Sequence, residues 1–178
     1  GVADVVDAAL AALARIGYPR RATNIPGHDD LALANAAGLV VSRCEAAAAH
    51  RALDLDRSLY WDEVREQLDL ADDVSAVDYL DAQRLRGELR DRMLRAFDDH
   101  EVLAMPTVPV VAPPVAGFAE YLMVLARNAI PWSLVGFPAI SVPVGTVEGL
   151  PVGLQLVAPP HQEARLVEIA RMVEQVVA

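Results

Sequence analysis

The chain has 178 residues, which fits one domain at roughly 100–200 residues per domain. Apolar residues make up 54% of it, above the roughly 45–50% usual in soluble proteins, so the sequence predicts a sizeable core and some apolar surface meant to be covered by something outside the chain. A formal charge of −10 excludes the clustered basic surface that phosphate backbones require, so no nucleic-acid partner is expected. No apolar run reaches the ~18 residues of a membrane span, and no basic start precedes a hydrophobic signal core, so the expectation is a cytoplasmic protein with no membrane contact. Every basic side chain other than histidine is Arg; without Lys, no neutral lysine can shuttle protons within this chain. Cys44 is the single cysteine, which excludes an internal disulfide or thiolate metal site and reads as a small apolar residue of a helix.

Val2, Val6, Ala9, Leu13 and Ile16 form one apolar helical stripe that Gly17 closes. A chain opening on Gly1 and passing at once into a helix reads as a cut piece. Pro19 to Pro26 reads as a connector with a short extended piece, and Asp29 or Asp30 is the expected cap of a helix through Leu53. Ser58 or Asp62 starts a shorter helix through Leu70, with Trp61, Val64 and Leu68 on one face. Ser75 with Asp78 three residues later is an Asp variant of the capping box, opening a helix to about Asp98. Its alternating Arg and acidic residues read as a solvated face. Val102 to Met105 reads as a short buried strand whose pairing stops near Pro106. A fifth helix is expected from Phe118 to Asn128, broken or kinked by Pro131. The last helix starts near Glu163 and buries Leu166, Ile169, Ala170 and Val173.

Before that last helix come two near-continuous apolar runs, Ala139 to Val144 and Val152 to Val157, which predict strands buried on both faces. Gly145 and Gly149 supply turn conformations between them, so the pair is hairpin-like. Pro143 predicts a strand end or a bulge, and Gly153 the close approach of another backbone or helix. The order of elements predicts an α/β layer fold, a small sheet covered by helices.

GFPAISVPVG, GLPVGLQLVAPP and the following HQEARLVEIARMVEQ resemble the C-terminal end of the amidase-signature hydrolases. VLAMPTVPVVAPP is similar to that family's strand with its PT-x-P segment, and DYLDAQRLRGELRDRM to the helix before it. The resemblance implies a mixed-sheet α/β/α fold, of which residues 1–178 form a single-domain C-terminal portion. It also implies hydrolysis of a carboxylic amide C–N bond by a Ser–cis-Ser–Lys triad, in which a buried neutral lysine takes the nucleophile's proton through the bridging serine. Backbone N–H groups of a Gly/Ser-rich loop would stabilise the oxyanion.

This chain has no Lys, no adjacent serines and no such loop, so it is expected to be inactive alone, its catalytic half lying in an N-terminal portion absent here. Ser141 falls where the family has a structural strand. The segment after the Pro-rich stretch is shorter than the family's, so the join near Gly117 and Phe118 is a deletion or hides missing residues. Arg86 matches the place where the amidotransferase A subunits hold a substrate carboxylate, a task suited to a guanidinium fork; the plainer reading is an Arg on a charged helix face. Ile130, Trp132 and Phe137 are candidates for an acyl or leaving-group pocket, with core packing the alternative; Ser133 stands where the family often has Asn. No cofactor and no metal are implied. The expected partners are a small-molecule amide, the missing amidase half and a second copy in a homodimer. A non-catalytic scaffold binding through an exposed sheet edge, and a protein like the amidotransferase A subunits that works on aminoacyl-tRNA, are the alternative readings.

Overall fold

The hairpin organises the molecule. The computed structural model describes residues 1–177, and the side chains of all of these but Phe118 and Ala119. Strands β1 (Leu103–Pro106), β2 (Ala139–Val147) and β3 (Leu150–Val157) form one antiparallel sheet in the order β1-β3-β2. Val147 pairs with Leu150, leaving a two-residue turn in which Glu148 and Gly149 have φ of 52° and 78°. Two positive φ values in succession match the right-handed twist of the strands they join. Both strands therefore run further toward the turn than the apolar runs foretell. Pro143 pairs with Gly153 and Gly145 with Val152, so Val144 is the extra residue of a bulge. A proline beside a bulge is tolerated because the ladder is already interrupted there.

Alternate residues of the sheet serve two cores. On one side α1 (Val2–Arg15) and α7 (Glu163–Val177) cover Val142, Val152, Leu154 and Leu156 with Val6, Leu13, Leu166, Ile169 and Val173. On the other, α2 (His28–Leu53), α4 (Ala76–Leu94) and α6 (Ile130–Val135) enclose Leu103 and Val157 with Leu89, Met93, Trp132 and Phe137. The result is the α/β layer fold expected, with a small antiparallel sheet inside this chain. The expectation of two-faced burial holds for the second half of β3 but fails for β2. Ala139, Ser141 and Pro143 are exposed, because α1 and α7 cover one face of β2 and, among the described residues, no helix buries the other.

Several helix boundaries shift for local reasons. Gly27, not Asp29 or Asp30, caps α2, and Asp30 at the third helical position accepts the Gly27 N–H at 3.0 Å. Ser75 does cap α4, accepting the Asp78 N–H at 3.1 Å. The short helix is α3 (Asp62–Asp69), and its apolar face is not buried: Trp61 is 80% exposed. The expected fifth helix divides into a 3-10 turn, Phe118–Tyr121, and α5 (Leu122–Ala126). Pro131 then opens α6 instead of breaking a helix, since a first-turn N–H has no partner to lose. Helix α2 is long and apolar enough to cross a bilayer by length and composition. In the fold, though, Ala34, Ala37, Gly38 and Val41 are buried, and Ala34, Ala37 and Val41 pack in the helical core. Cys44 is half-buried on this helix.

Candidate functional site

Helix α4 presents Arg86 at its seam with α2. Its side chain is 38% exposed, and its Nη1 lies 3.8 Å from Glu45 Oε1. Gln83 on the preceding turn donates to the same Glu45 oxygen at 3.3 Å and to the Tyr79 hydroxyl at 2.8 Å. Arg84, by contrast, pairs with Asp81 of its own helix on the solvated face. Arg86 thus faces a neighbouring element, with part of its surface free for another carboxylate.

Two of the three apolar candidates sit in the core, and the third, Ile130, is half-buried beside it. Trp132 and Phe137 are 1% and 5% exposed and stack with ring centroids 6.3 Å apart. Ile130 fills the space left by Gly38, where an added Cβ would lie 2.4 Å from Ile130 Cγ2. None of these residues, and not Arg86, lines the cleft beside β1 or the one beside α3. What links Phe137 to the charged helix is Arg90, which the charge pattern assigns to the solvated face. Its guanidinium donates to the Val135 carbonyl and lies 5.5 Å from the centre of the Phe137 ring.

A second polar group gathers on the uncovered face of the sheet. Thr107 Oγ1 and Ser141 Oγ are 2.6 Å apart, meeting above Gly153, where a Cβ would lie 2.5 Å from the Ser141 oxygen. The close approach expected at Gly153 is therefore real but made by hydroxyls, not by backbone. Beside them the buried Gln155 donates to the Asn128 carbonyl at 2.9 Å, and Asn128 donates to the Pro106 carbonyl at 2.8 Å. These bonds lock the end of β1 to the segment before α6. Ser141 has a hydroxyl partner but no base, since among the described residues no histidine or carboxylate bonds to it.

The larger cleft, about 620 Å³, opens between β1 and residues 18–26, with walls from α1 and α7. His100 lines it; its Nδ1 meets the Ala96 carbonyl at 2.9 Å, and its buried Nε2 has no partner among the described residues. A smaller cleft of about 290 Å³ lies beside α3, where His50 Nδ1 meets the Tyr60 hydroxyl at 2.7 Å.

The chain is similar to the A subunit of the glutamyl-tRNA(Gln) amidotransferase of Pseudomonas entomophila strain L48. They are 39% identical over a 106-residue alignment that covers 55% of this chain and 21% of that protein. A solved amidase is 26% identical and superposes with a TM-score of 0.86 over 99% of this chain and 42% of its own. The solved A subunit of the Thermotoga maritima glutamyl-tRNA(Gln) amidotransferase is 27% identical, with a TM-score of 0.76 over 98% of this chain and 38% of its own. The chain thus spans well under half the length of the relatives it matches. Residues 6–167 match the family described as Amidase, and the chain belongs to that family, the amidase-signature proteins its strand pair resembles.

Proposed function

We propose that this chain is the non-nucleophilic part of an enzyme hydrolysing a carboxylic amide C–N bond. The observation that carries this is a pairing of two facts. The whole chain superposes on an amidase, yet it contains no Lys and no adjacent serines. Its role is then to supply three strands, the helices that cover them and Arg86 near the substrate. The nucleophilic serine and the lysine that takes its proton come from the remaining part of the fold. The test is to isolate the protein from its source with an antibody against α4 and react it with a fluorophosphonate. The label should fall on a serine outside these 178 residues, on the same or a co-isolated polypeptide containing Lys. Labelling of Ser141, or an unlabelled species at 19.1 kDa with no companion, overturns the proposal.

The similarity to amidotransferase A subunits favours glutamine as the amide within this reading. Arg86 is then the residue that pairs with the substrate α-carboxylate, its guanidinium exchanging the long contact with Glu45 for a bidentate one. In the assembled enzyme, Arg86→Lys keeps the charge but loses the fork. It should raise KM for glutamine by about tenfold with kcat little changed, the mark of lost ground-state binding. Equal KM values for variant and parent would remove Arg86 from the site.

A further inference from the structure

Between α2 and α4 the chain forms an arm, residues 54–73, that contains the 3-10 turn Arg57–Leu59 and α3. Neither element has a buried residue. Polar contacts tie the arm to α2: the Tyr60 hydroxyl meets His50 Nδ1 at 2.7 Å, Arg43 donates to Gln67 at 3.3 Å, and Arg51 pairs with Asp72. The larger apolar side chains of the arm are left to solvent. Trp61 is 80% exposed and Leu59 78%; Leu55, Val64 and Leu70 are exposed too, and none of the five belongs to either core. Apolar residues scattered singly over a surface need no explanation. Five in one short arm, with a nearly bare tryptophan among them, do.

The same arm carries most of the chain's net charge. Eight acidic side chains and two arginines fall within residues 54–73, a net −6 of the total −10. Both arginines are committed: Arg57 bonds Asp69 at 2.6 Å, and Arg65 bonds Asp62 and the Tyr60 carbonyl. Asp54, Glu63, Glu66 and Asp73 have no cation within ion-pair distance among the described residues. Nor do any three of the described carboxylates and histidines converge as metal ligands, so the charge does not mark an ion site. An apolar surface among uncompensated carboxylates selects its occupant by charge. A second copy would bring another −6 against it. A membrane surface would accept Trp and Leu, but its anionic leaflet repels the carboxylates beside them. Polypeptide of the opposite charge meets both demands, its basic side chains pairing with the carboxylates and its apolar ones covering Trp61 and Leu59.

We propose that the arm is the docking surface for a basic, apolar segment of a second protein, with Trp61 as its anchor. A tryptophan suits that place because it offers a large contact area at a small cost in side-chain freedom, and such residues dominate interface energies. The cleft of about 290 Å³ beside α3 gives one basic side chain of the partner a seat. Asp54, Asp69 and Asp72 line it, and the Tyr60 and His50 rings form part of its wall. Asp69 and Asp72 are shared with Arg57 and Arg51, which leaves Asp54 as the carboxylate free to receive the incoming cation.

The test is oxidative footprinting, read residue by residue by mass spectrometry, on the protein as isolated from its source. Trp61 and Leu59 should be oxidised freely in that material. The probe is a capped peptide of leucine and lysine at helical spacing; one twin carries glutamate for lysine and another serine for leucine. The leucine–lysine peptide should slow oxidation of Trp61 by about threefold or more, and neither twin should, because docking needs both the charge and the apolar side chains. Its affinity should fall about tenfold or more in Trp61→Ser. Glu63→Gln together with Glu66→Gln should weaken it by about fivefold. Val115→Ser, at an exposed apolar side chain outside the arm, should leave it unchanged. All of these side chains are exposed, so the variants keep their cores. Trp61 already shielded without peptide, as it would be beneath the rest of an amidase fold, overturns the proposal. So does a Trp61 that the peptide leaves unmoved, or equal shielding by either twin. Shielding that grows with protein concentration alone would assign the arm to a second copy, and shielding by phosphatidylserine vesicles to a membrane; both overturn it. No turnover is read, so failure here leaves the serine-labelling result standing, and the reverse holds too.

Discussion

Gly38 shows how tightly the helical layer is set. An alanine there improves intrinsic helix propensity by about 1 kcal/mol, but its Cβ would stand 2.4 Å from Ile130 Cγ2. Steric overlap of that size wins, so Gly38→Ala should destabilise by about 1–3 kcal/mol in urea unfolding. Adding Ile130→Ala should recover part of that loss, giving a coupling energy of opposite sign to the single effects. Additive losses would mean that Ile130 does not fill this space. The same measurement bears on what was legible in the sequence. Ile130, Trp132 and Phe137 share one short segment, and linear order alone cannot separate residues around a pocket from residues inside a core. Burial separates them, and it places Trp132 and Phe137 inside. Arg86 was legible only through resemblance, because its distinction from Arg84 is the presence of α2 across the seam.

At the scale of elements, the local signals that rest on backbone chemistry carried furthest. The cap at Ser75, the bulge beside Pro143 and the buried stripe of α7 each follow from one residue's geometry or from a repeat of 3.6. Boundaries set by tertiary packing did not carry, as β2 shows: its apolar run fits a two-faced strand, but the helices present cover one face. The turn at Glu148 is a place where sequence and geometry disagree. A left-handed conformation costs a non-glycine residue about 1–2 kcal/mol, and Glu148 has φ of 52°. Glu148→Asn keeps a polar side chain and suits the turn type, so it should stabilise by about 1 kcal/mol in urea unfolding. No gain would mean that the turn relaxes in solution. A second element-level expectation concerns acid. The Ser58 N–H and hydroxyl hold the Asp56 carboxyl below its ordinary value at the start of the 3-10 turn Arg57–Leu59. A depressed carboxylate pKa stabilises the folded form above the unfolded value and ceases to do so as pH falls through the folded one. The turn should therefore hold at neutral pH and loosen below about pH 4. Amide exchange at Ser58 that stays unchanged between neutral and acid solution would count against the cap.

For the molecule as a whole, the question is how two layers built on three strands hold together. One unit is the sheet with α1 and α7. The other is α2, α4 and α6, and the sheet enters its core through Leu103 and Val157. A sheet this narrow gives the helical layer little else to grip, and the fully buried Trp132 reports on that layer. Leu103→Ala removes side-chain volume at the junction and should cost about 2–5 kcal/mol, as buried Leu→Ala changes do. The loss should fall unequally. Leu154 and Leu156 direct their backbone groups at β2, the side on which the Ala158 N–H donates to the Pro138 carbonyl at 3.0 Å. Their protection depends on the hairpin, on α1 and on α7, and the hairpin enters the Leu103 core through Val157, whose backbone groups face β1. In Leu103→Ala, then, the Trp132 fluorescence midpoint should move to lower urea while exchange at Leu154 and Leu156 keeps its parent stability. Such a split would identify the helical layer and the hairpin unit as separate cooperative units. If the Leu154 and Leu156 amides lose protection at the same midpoint as the fluorescence, the two layers unfold as one, and the junction at Leu103 is no weaker than either core.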